Sequence, residues 1–115
     1  MPRDIFESVQ GTLEFLILKA LTGQRLHGYA ISRWIFDKSR EQFELEEGTL
    51  YPALHRMEEK GWLHASWGVS ENNRRAKFYE LTRQGEREFA RRRAGWAEFT
   101  DAVDTVLKAR PDAGR

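Results

Sequence analysis

The fold class is decided by the stretch EGTLYPALHRME, residues 47–58. Its apolar side chains recur three and four residues apart, at Leu50, Ala53, Leu54 and Met57. This spacing is typical of an amphipathic helix with one buried face, so it predicts a helix over about residues 48–60. We expect Pro52 in the first turn, where its missing N–H costs little, and Gly61 at the end of the helix.

Another helix is predicted before this stretch, over residues 12–23. Its apolar side chains have the same helical spacing: Leu13, Leu16, Ile17, Ala20 and Leu21. Thr12 is a suitable N-cap and Gly23 a suitable C-terminal end. Phe15 and Leu18 make the helix apolar on more than one side, and such a helix needs burial on more than one side. We therefore expect Phe15 and Leu18 to contact a partner surface beyond the chain's own core.

Shorter elements surround these two helices. A helix is predicted over about residues 28–38, followed by a charged loop over residues 39–46. After Gly61 the apolar period changes from about 3.6 residues to about 2, which is the period of a strand. A turn-forming run at residues 71–75 separates this stretch from strand formers at residues 76–81. The two stretches together predict a β-hairpin.

A long last helix is predicted over about residues 83–109, with Thr82 as its N-cap. Its apolar residues follow the steps of a heptad seam: Phe89, Trp96, Phe99, Val103 and Val106. Arg92 fills the remaining seam position. A seam of this size exposed to water invites aggregation, so we predict that it pairs with a second copy of the chain, together with the apolar flank of the first helix. The tail, residues 111–115, is expected to fray.

Three short helices, a hairpin and a long helix follow the order of a winged helix-turn-helix, a mainly α fold whose β-hairpin is the wing. The third helix is then the recognition helix. We assign residues 1–82 to the winged helix-turn-helix and residues 83–110 to a C-terminal dimerisation helix within the same compact unit. Two-fold symmetry would place the two recognition helices about one helical turn of DNA apart, as a palindromic site requires.

Five motifs carry a family resemblance: GTLE at residues 11–14, LHGY at 26–29, EGTLYPALHRME at 47–58, NRRAKFY at 73–79 and LTRQG at 81–85. With these motifs the chain resembles the PadR family of bacterial transcriptional regulators, in its short single-domain form. The resemblance implies a homodimer that binds operator DNA, usually as a repressor, and that a small molecule or a stress signal releases. It also implies a site for flat aromatic ligands, because some short members stack them on a tryptophan of the last helix. Trp96, with Phe99 beside it, lies in a similar place.

The candidate DNA-contacting side chains belong to three elements. On the outer face of the recognition helix are Thr49, Tyr51, Pro52, His55 and Arg56, which suit phosphates and base edges. At and after the hairpin turn are Asn73, Arg74, Arg75 and Lys77, which suit phosphates or a narrow minor groove. Tyr29, at the start of the second helix, is placed to donate to a phosphate. Segment 72–93 holds eight Lys or Arg against three Glu, a charge of +5 within a chain of +1, which favours a nucleic-acid partner.

Composition excludes several other classes of protein. The 115 residues suffice for one domain and contain no cysteine, so we expect no disulfide, thiol nucleophile or cysteine-based metal site. The three histidines are scattered, and neither a P-loop nor a G-x-S-x-G motif is present, so we expect no enzyme, no metal and no cofactor. No apolar run approaches the length of a membrane span, and no leader is visible, which makes a cytoplasmic protein the default expectation.

Two alternative functions stay open at this point. Winged helices also serve as protein-interaction modules, and the net charge of +1 permits this. The other alternative is a small-molecule sensor that binds DNA only weakly. The basic residues at the hairpin tip favour DNA binding, since an interaction module has no need of them.

Overall fold

The computed structural model describes residues 5–112 of the chain, with side chains from residue 11 onward. The elements follow in this order: α1 (Ile5–Ala20), β1 (Leu26–His27), α2 (Gly28–Lys38), α3 (Glu47–Glu59), β2 (Leu63–Val69), β3 (Arg75–Leu81) and α4 (Arg83–Lys108). Three helices, a hairpin and a long C-terminal helix confirm the predicted winged helix. Of the tail predicted to fray, residues 113–115 lie outside the described residues.

Helix α1 differs from the prediction at both ends. It already contains Ile5, so Thr12 lies within the helix and the prediction that Thr12 is its N-cap is wrong. The helix ends at Ala20, earlier than predicted, where Gln24 Nε2 donates a hydrogen bond to the Ala20 carbonyl at 2.6 Å. This bond satisfies a carbonyl that has no partner within the helix. Gly23 follows in a turn with a φ of +75°, a conformation that favours glycine.

Helix α3 begins at Glu47, which moves Pro52 from the expected first turn into the second. Because proline has no N–H, the carbonyl four residues earlier receives no helical hydrogen bond from it. The last helical residue is Glu59, and Gly61 follows Lys60 as the predicted C-terminal glycine, with a φ of +81°. The N–H of Trp62 then returns to the Met57 carbonyl at 3.0 Å, which satisfies a carbonyl of the last turn.

The hydrophobic core lies between the first three helices and the inner end of the sheet. Its largest fully buried side chains are Ile17, Leu18, Leu21, Ile31, Leu50, Leu54 and Met57. They confirm the apolar faces predicted for these helices. The prediction for Leu18 is wrong, because Leu18 is 0% exposed within a single chain and cannot face a second copy. Helix α1 packs against α2, α3 and α4 at once, which buries its second apolar side inside the chain.

The hairpin pairs β2 with β3 in antiparallel register, from Leu63 opposite Leu81 to Val69 opposite Arg75. A third strand, β1, pairs with β3 at Tyr79 and was not predicted, because two residues are too short to show a period. Leu63 is buried, whereas Val69 is 65% exposed. The outer half of the hairpin therefore extends beyond the core as a wing.

The LTRQG motif fastens the start of α4 to the turn that follows α3. As predicted, Thr82 caps α4: its Oγ1 accepts a hydrogen bond from the Gly85 N–H at 3.0 Å and donates to the Gly61 carbonyl at 2.6 Å. Gly85 lies so close to the Trp62 carbonyl that a Cβ at this position would collide with it. Contacts at the first turn of α4 therefore fix the point at which it leaves the winged helix.

Candidate nucleic-acid interface

An open cleft lies between the first turn of α2, the exposed side of α3 and the outer half of the hairpin. It is lined by His27, Gly28, Tyr29, Tyr51, Trp67, Ser70, Glu71, Asn72, Arg74, Arg75, Ala76 and Lys77. Three separate segments thus bring phenol hydroxyls and basic side chains to one surface. The predicted DNA-contacting residues that meet here are Tyr29, Tyr51, Arg74, Arg75 and Lys77.

Tyr51 joins α3 to the start of α2. Its ring lies so close to Gly28 that a Cβ on this glycine would be 2.6 Å from the ring, which explains the glycine of the LHGY motif. Burial, and after it the charge of Glu47, raises the pKa of Tyr51 above its ordinary value. At neutral pH the hydroxyl therefore keeps its proton and can donate a hydrogen bond into the cleft.

His27 forms the N-cap of α2. Its Nδ1 accepts a hydrogen bond from the Ala30 N–H at 3.1 Å, so Nε2 carries the proton of the neutral ring and faces Glu71 Oε1 at 3.3 Å. The ring also packs edge-on against Phe78, with ring centroids 5.3 Å apart. Both ring nitrogens are engaged within the chain, whereas the neighbouring Tyr29 is 65% exposed.

The hairpin tip presents Arg74 and Arg75 to the cleft. The guanidinium of Arg75 lies 4.4 Å from the centroid of the Trp67 ring, which is a stacking distance. Trp67 was not predicted as part of the site, because its alternation with polar residues is also the pattern of a core position. Asn73, a predicted contact, occupies the turn with a left-handed φ of +60°, and Asn72 lines the cleft in its place.

Arg56 does not line the cleft but pairs with a carboxylate of its own chain, so the structure does not support its prediction as a DNA contact. Its Nε lies 3.6 Å from Oε2 of Glu14 on α1. Arg56 stands on the flank of α3 that packs against α1, where the buried carboxylate attracts it. The other predicted residues of α3, Thr49, Pro52 and His55, are exposed.

Lys77 is shared between the cleft and α3. Its Nζ lies 3.4 Å from Oε1 of Glu58, and both side chains are 34% exposed. An ion pair this accessible to water contributes less than about 1 kcal/mol to stability. Lys77 can therefore exchange this carboxylate for a phosphate at small cost.

A second exposed surface, the aromatic seam, lies where α1 meets α4. Its aromatic members are Phe15, Phe89, Trp96 and Phe99, whose neighbouring ring centroids are 5.8 to 6.1 Å apart. Trp96 is 47% exposed and Phe99 60%, and the seam continues along α4 in Val103 and Val106. A shallow cavity of about 320 Å³ lies over Phe15, Trp96 and Phe99, at the lower end of the range for small-molecule sites.

Two other kinds of feature are absent from the part of the chain that the structure describes. None of its helices is long and apolar enough to cross a membrane. Among the described side chains, no three of His, Asp or Glu lie close enough together to hold a metal ion.

A family model, that of the transcriptional regulator PadR-like family, matches residues 17–91. The chain belongs to this family. The match spans α3 and the hairpin and contains all of the five motifs except GTLE at residues 11–14, and it confirms the resemblance to this family. Because the family consists of transcriptional regulators, the match also agrees with the prediction that this PadR-like chain is not an enzyme.

Solved structures are similar to the PadR-like chain over most of its length. A transcriptional regulator from Clostridium thermocellum is 26% identical with a TM-score of 0.79, and the similarity covers 89% of this chain and 96% of that one. A PadR-like transcription factor from Bacteroides fragilis is 28% identical with a TM-score of 0.74, covering 87% and 94%. A PadR family transcription regulator from Clostridium difficile is 29% identical with a TM-score of 0.72, covering 83% and 97%.

Replacing Gly28 by alanine should displace the Tyr51 ring from the start of α2. The ring is the movable end of a flexible side chain, so we expect the fold to survive and the phenol to move toward water. The pKa of Tyr51 should then fall toward its ordinary value of about 10, because the loss of burial removes the main cause of its rise. A pH titration of tyrosinate absorbance measures this change.

The matched control is Gly48→Ala, because a Cβ on Gly48 would meet no described atom within 4 Å. Tyr51→Phe identifies the titration step that belongs to Tyr51. A Gly28→Ala titration that superimposes on that of the unsubstituted protein would contradict the close contact between Gly28 and Tyr51.

Proposed function

We propose that this PadR-like chain is a homodimeric, cytoplasmic repressor that binds a palindromic DNA operator and is released by a small molecule or a stress signal. The observation that carries the proposal is the convergence of Tyr29, Tyr51 and the wing arginines on one cleft, from three segments of the chain. Membership of a family of transcriptional regulators supports it. The experiment that tests it is a mobility-shift titration with DNA from upstream of the chain's own gene.

The recognition helix α3 enters the major groove in this proposal. Its exposed residues offer hydroxyl, imidazole and apolar contacts to base edges: Thr49, Tyr51, Pro52 and His55. Leu50 and Leu54 hold the opposite face of α3 in the core. Because that face is anchored, α3 moves only together with the domain, which makes its placement on DNA precise.

The wing and the start of α2 bind phosphates in this proposal. Arg74 and Arg75 reach them from the hairpin tip, and the ring of Trp67 holds the Arg75 guanidinium in place. Tyr29, together with the N–H groups of the first turn of α2, reaches the backbone from the other side of the cleft. Contacts of this kind position a protein on DNA, and their strength falls steeply with salt.

Dimerisation is proposed through α4, with residues 83–110 as the dimerisation helix and residues 1–82 as the DNA-binding part. The proposed interface consists of Phe15, Phe89, Trp96, Phe99, Val103 and Val106. The exposure of this seam supports the proposal, since Phe99 is 60% and Val106 73% exposed in a single chain. Monomeric proteins rarely leave a contiguous apolar surface of this kind in water.

Changing Arg74 and Arg75 together to alanine should weaken DNA binding and leave the dimer intact. Each side chain that neutralises a phosphate contributes about 0.9 to the slope of log affinity against log salt concentration. The double variant should therefore lose up to about two units of that slope. Mobility-shift titrations at several salt concentrations measure the affinity and the slope together.

Lys108→Ala combined with Arg110→Ala is the matched control, since it removes two positive charges at the far end of α4. Unchanged affinity and slope in the Arg74/Arg75 variant would show that the wing does not bind DNA. If the unsubstituted dimer captures no specific site in a genome-wide DNA pull-down, the proposal fails and the protein-interaction module takes its place.

Phe99→Glu should convert the dimer to a monomer, because the new carboxylate would have to be buried unpaired in an apolar seam. Size-exclusion chromatography with light scattering measures the mass. Ala94→Glu is the control, since it adds the same charge to an exposed position on the opposite side of α4. A Phe99→Glu variant that remains dimeric at micromolar concentration would show that the seam is not the interface.

The effector site is proposed at the cavity beside Trp96 and Phe99, whose exposed rings suit a flat aromatic molecule.

If this site binds such ligands, planar aromatic compounds should quench the tryptophan fluorescence of the protein. Trp96→Ala should abolish this quenching, and Trp34→Phe should preserve it. The absence of quenching in the unsubstituted protein would contradict the proposed ligand site. Quenching combined with weak, non-specific DNA binding would favour the sensor alternative.

A further inference from the structure

Glu14 places a carboxylate in the interior of the chain, between three helices. It belongs to α1 and is 4% exposed. Three cations face it: Arg92 Nη2 lies 3.2 Å from Oε1, Arg56 Nε lies 3.6 Å from Oε2, and Lys60 Nζ lies 3.9 Å from Oε2. Arg56 belongs to the recognition helix α3 and Arg92 to α4. This one carboxylate therefore links the recognition helix to the C-terminal helix.

Arg92 is the most firmly held of the three cations. Its Nε donates to Glu88 Oε2 at 2.6 Å, its Nη1 donates to the Gly11 carbonyl at 3.1 Å, and its Nη2 donates to Glu14 at 3.2 Å. Its guanidinium also lies 4.9 Å from the ring centroid of Trp62. With all of these contacts in place, Arg92 fixes the position of α4 relative to α1.

Arg56 is held by charge rather than by a hydrogen bond. At 3.6 Å its Nε is within ion-pair range of Glu14 but beyond a good hydrogen-bond length. The atom is buried, and it has no hydrogen-bond acceptor among the described residues. Since a charge interaction has little directional preference, the pairing of Arg56 depends on the distance between α3 and the carboxylate.

Stability alone does not account for this cluster. Removing a carboxylate and a guanidinium from water costs about as much as their attraction returns, and apolar side chains of similar size often stabilise a core equally well. A satisfied buried polar cluster does, however, favour one arrangement of the elements that carry its members. Here those elements are α1, α3 and α4.

We propose that Glu14 and Arg92 are positioning residues for DNA binding, which set the orientation of α3 relative to α4 and thereby the distance between the two recognition helices of a dimer. This inference rests on the dimeric DNA-binding function proposed above. Arg92 also lines the cavity beside Trp96 and Phe99, so a molecule bound there would touch the residue that anchors Glu14.

Glu14→Gln tests the inference, because it keeps the shape of the side chain and removes the charge that holds Arg56 and Arg92. Binding is measured on synthetic operators whose two half-sites are separated by spacers that differ by one base pair at a time. We expect affinity at the optimal spacing to fall about tenfold, and the dependence on spacing to become flatter. Affinity for non-operator DNA, which depends on the wing, should stay unchanged.

Ile35→Val in α2 is the control for a loss of stability, because it removes buried volume without touching the cluster. It should keep the spacing dependence of the unsubstituted protein. Arg92→Lys keeps the charge but loses the planar fork, so it should flatten the dependence as well, and it replaces Glu14→Gln if that variant does not fold.

A folded dimer of Glu14→Gln, or of Arg92→Lys, that keeps the original spacing dependence would overturn the inference. Failure of the unsubstituted protein to bind any operator would instead overturn the proposed function. The two failures are therefore distinguishable, because the first leaves specific DNA binding intact.

Discussion

A carboxylate buried in a helical core must be paired with a cation, and around Glu14 this requirement ties three helices together. An isolated charge in such a place costs several kcal/mol, and here Arg92 of α4 approaches one oxygen of the carboxylate and Arg56 of α3 the other. The distances of α3 and α4 from α1 are thereby restricted at the Glu14 carboxylate. Apolar side chains of the core also hold these helices together, among them Ile17 of α1 and Leu54 of α3, which are fully buried.

Two glycines allow further close contacts between the elements of the fold. Gly28 lets the Tyr51 ring lie against the start of α2, and Gly85 lets α4 begin in contact with the Trp62 backbone. A side chain at either position would force the neighbouring element away. The elements that carry the phenol groups and the wing arginines are therefore held close together at these two glycines, and this gives the side chains of the cleft a defined spacing.

The ends of helices are where rules based on neighbouring residues were least successful. Thr12 has the chemistry of an N-cap, yet α1 continues through it, because the preceding residues also adopt the helix. Pro52 was expected in the first turn, yet α3 starts at Glu47 and places the proline in the second. Neither error changed the face that each helix buries, since that face depends on the apolar period and not on where the helix begins.

The sequence by itself determined the order of the four helices and the hairpin, the Thr82 cap and the glycine at position 61 that follows α3, because each depends on residues only a few positions apart. It also predicted the basic wing and the apolar seam. Only the tertiary structure decided that Leu18 is buried within its own chain, that Arg56 turns away from the cleft, and that Glu14 is the carboxylate it turns toward. These outcomes depend on which elements lie opposite one another in space, and local periodicity carries no information about residues 40 to 80 positions away.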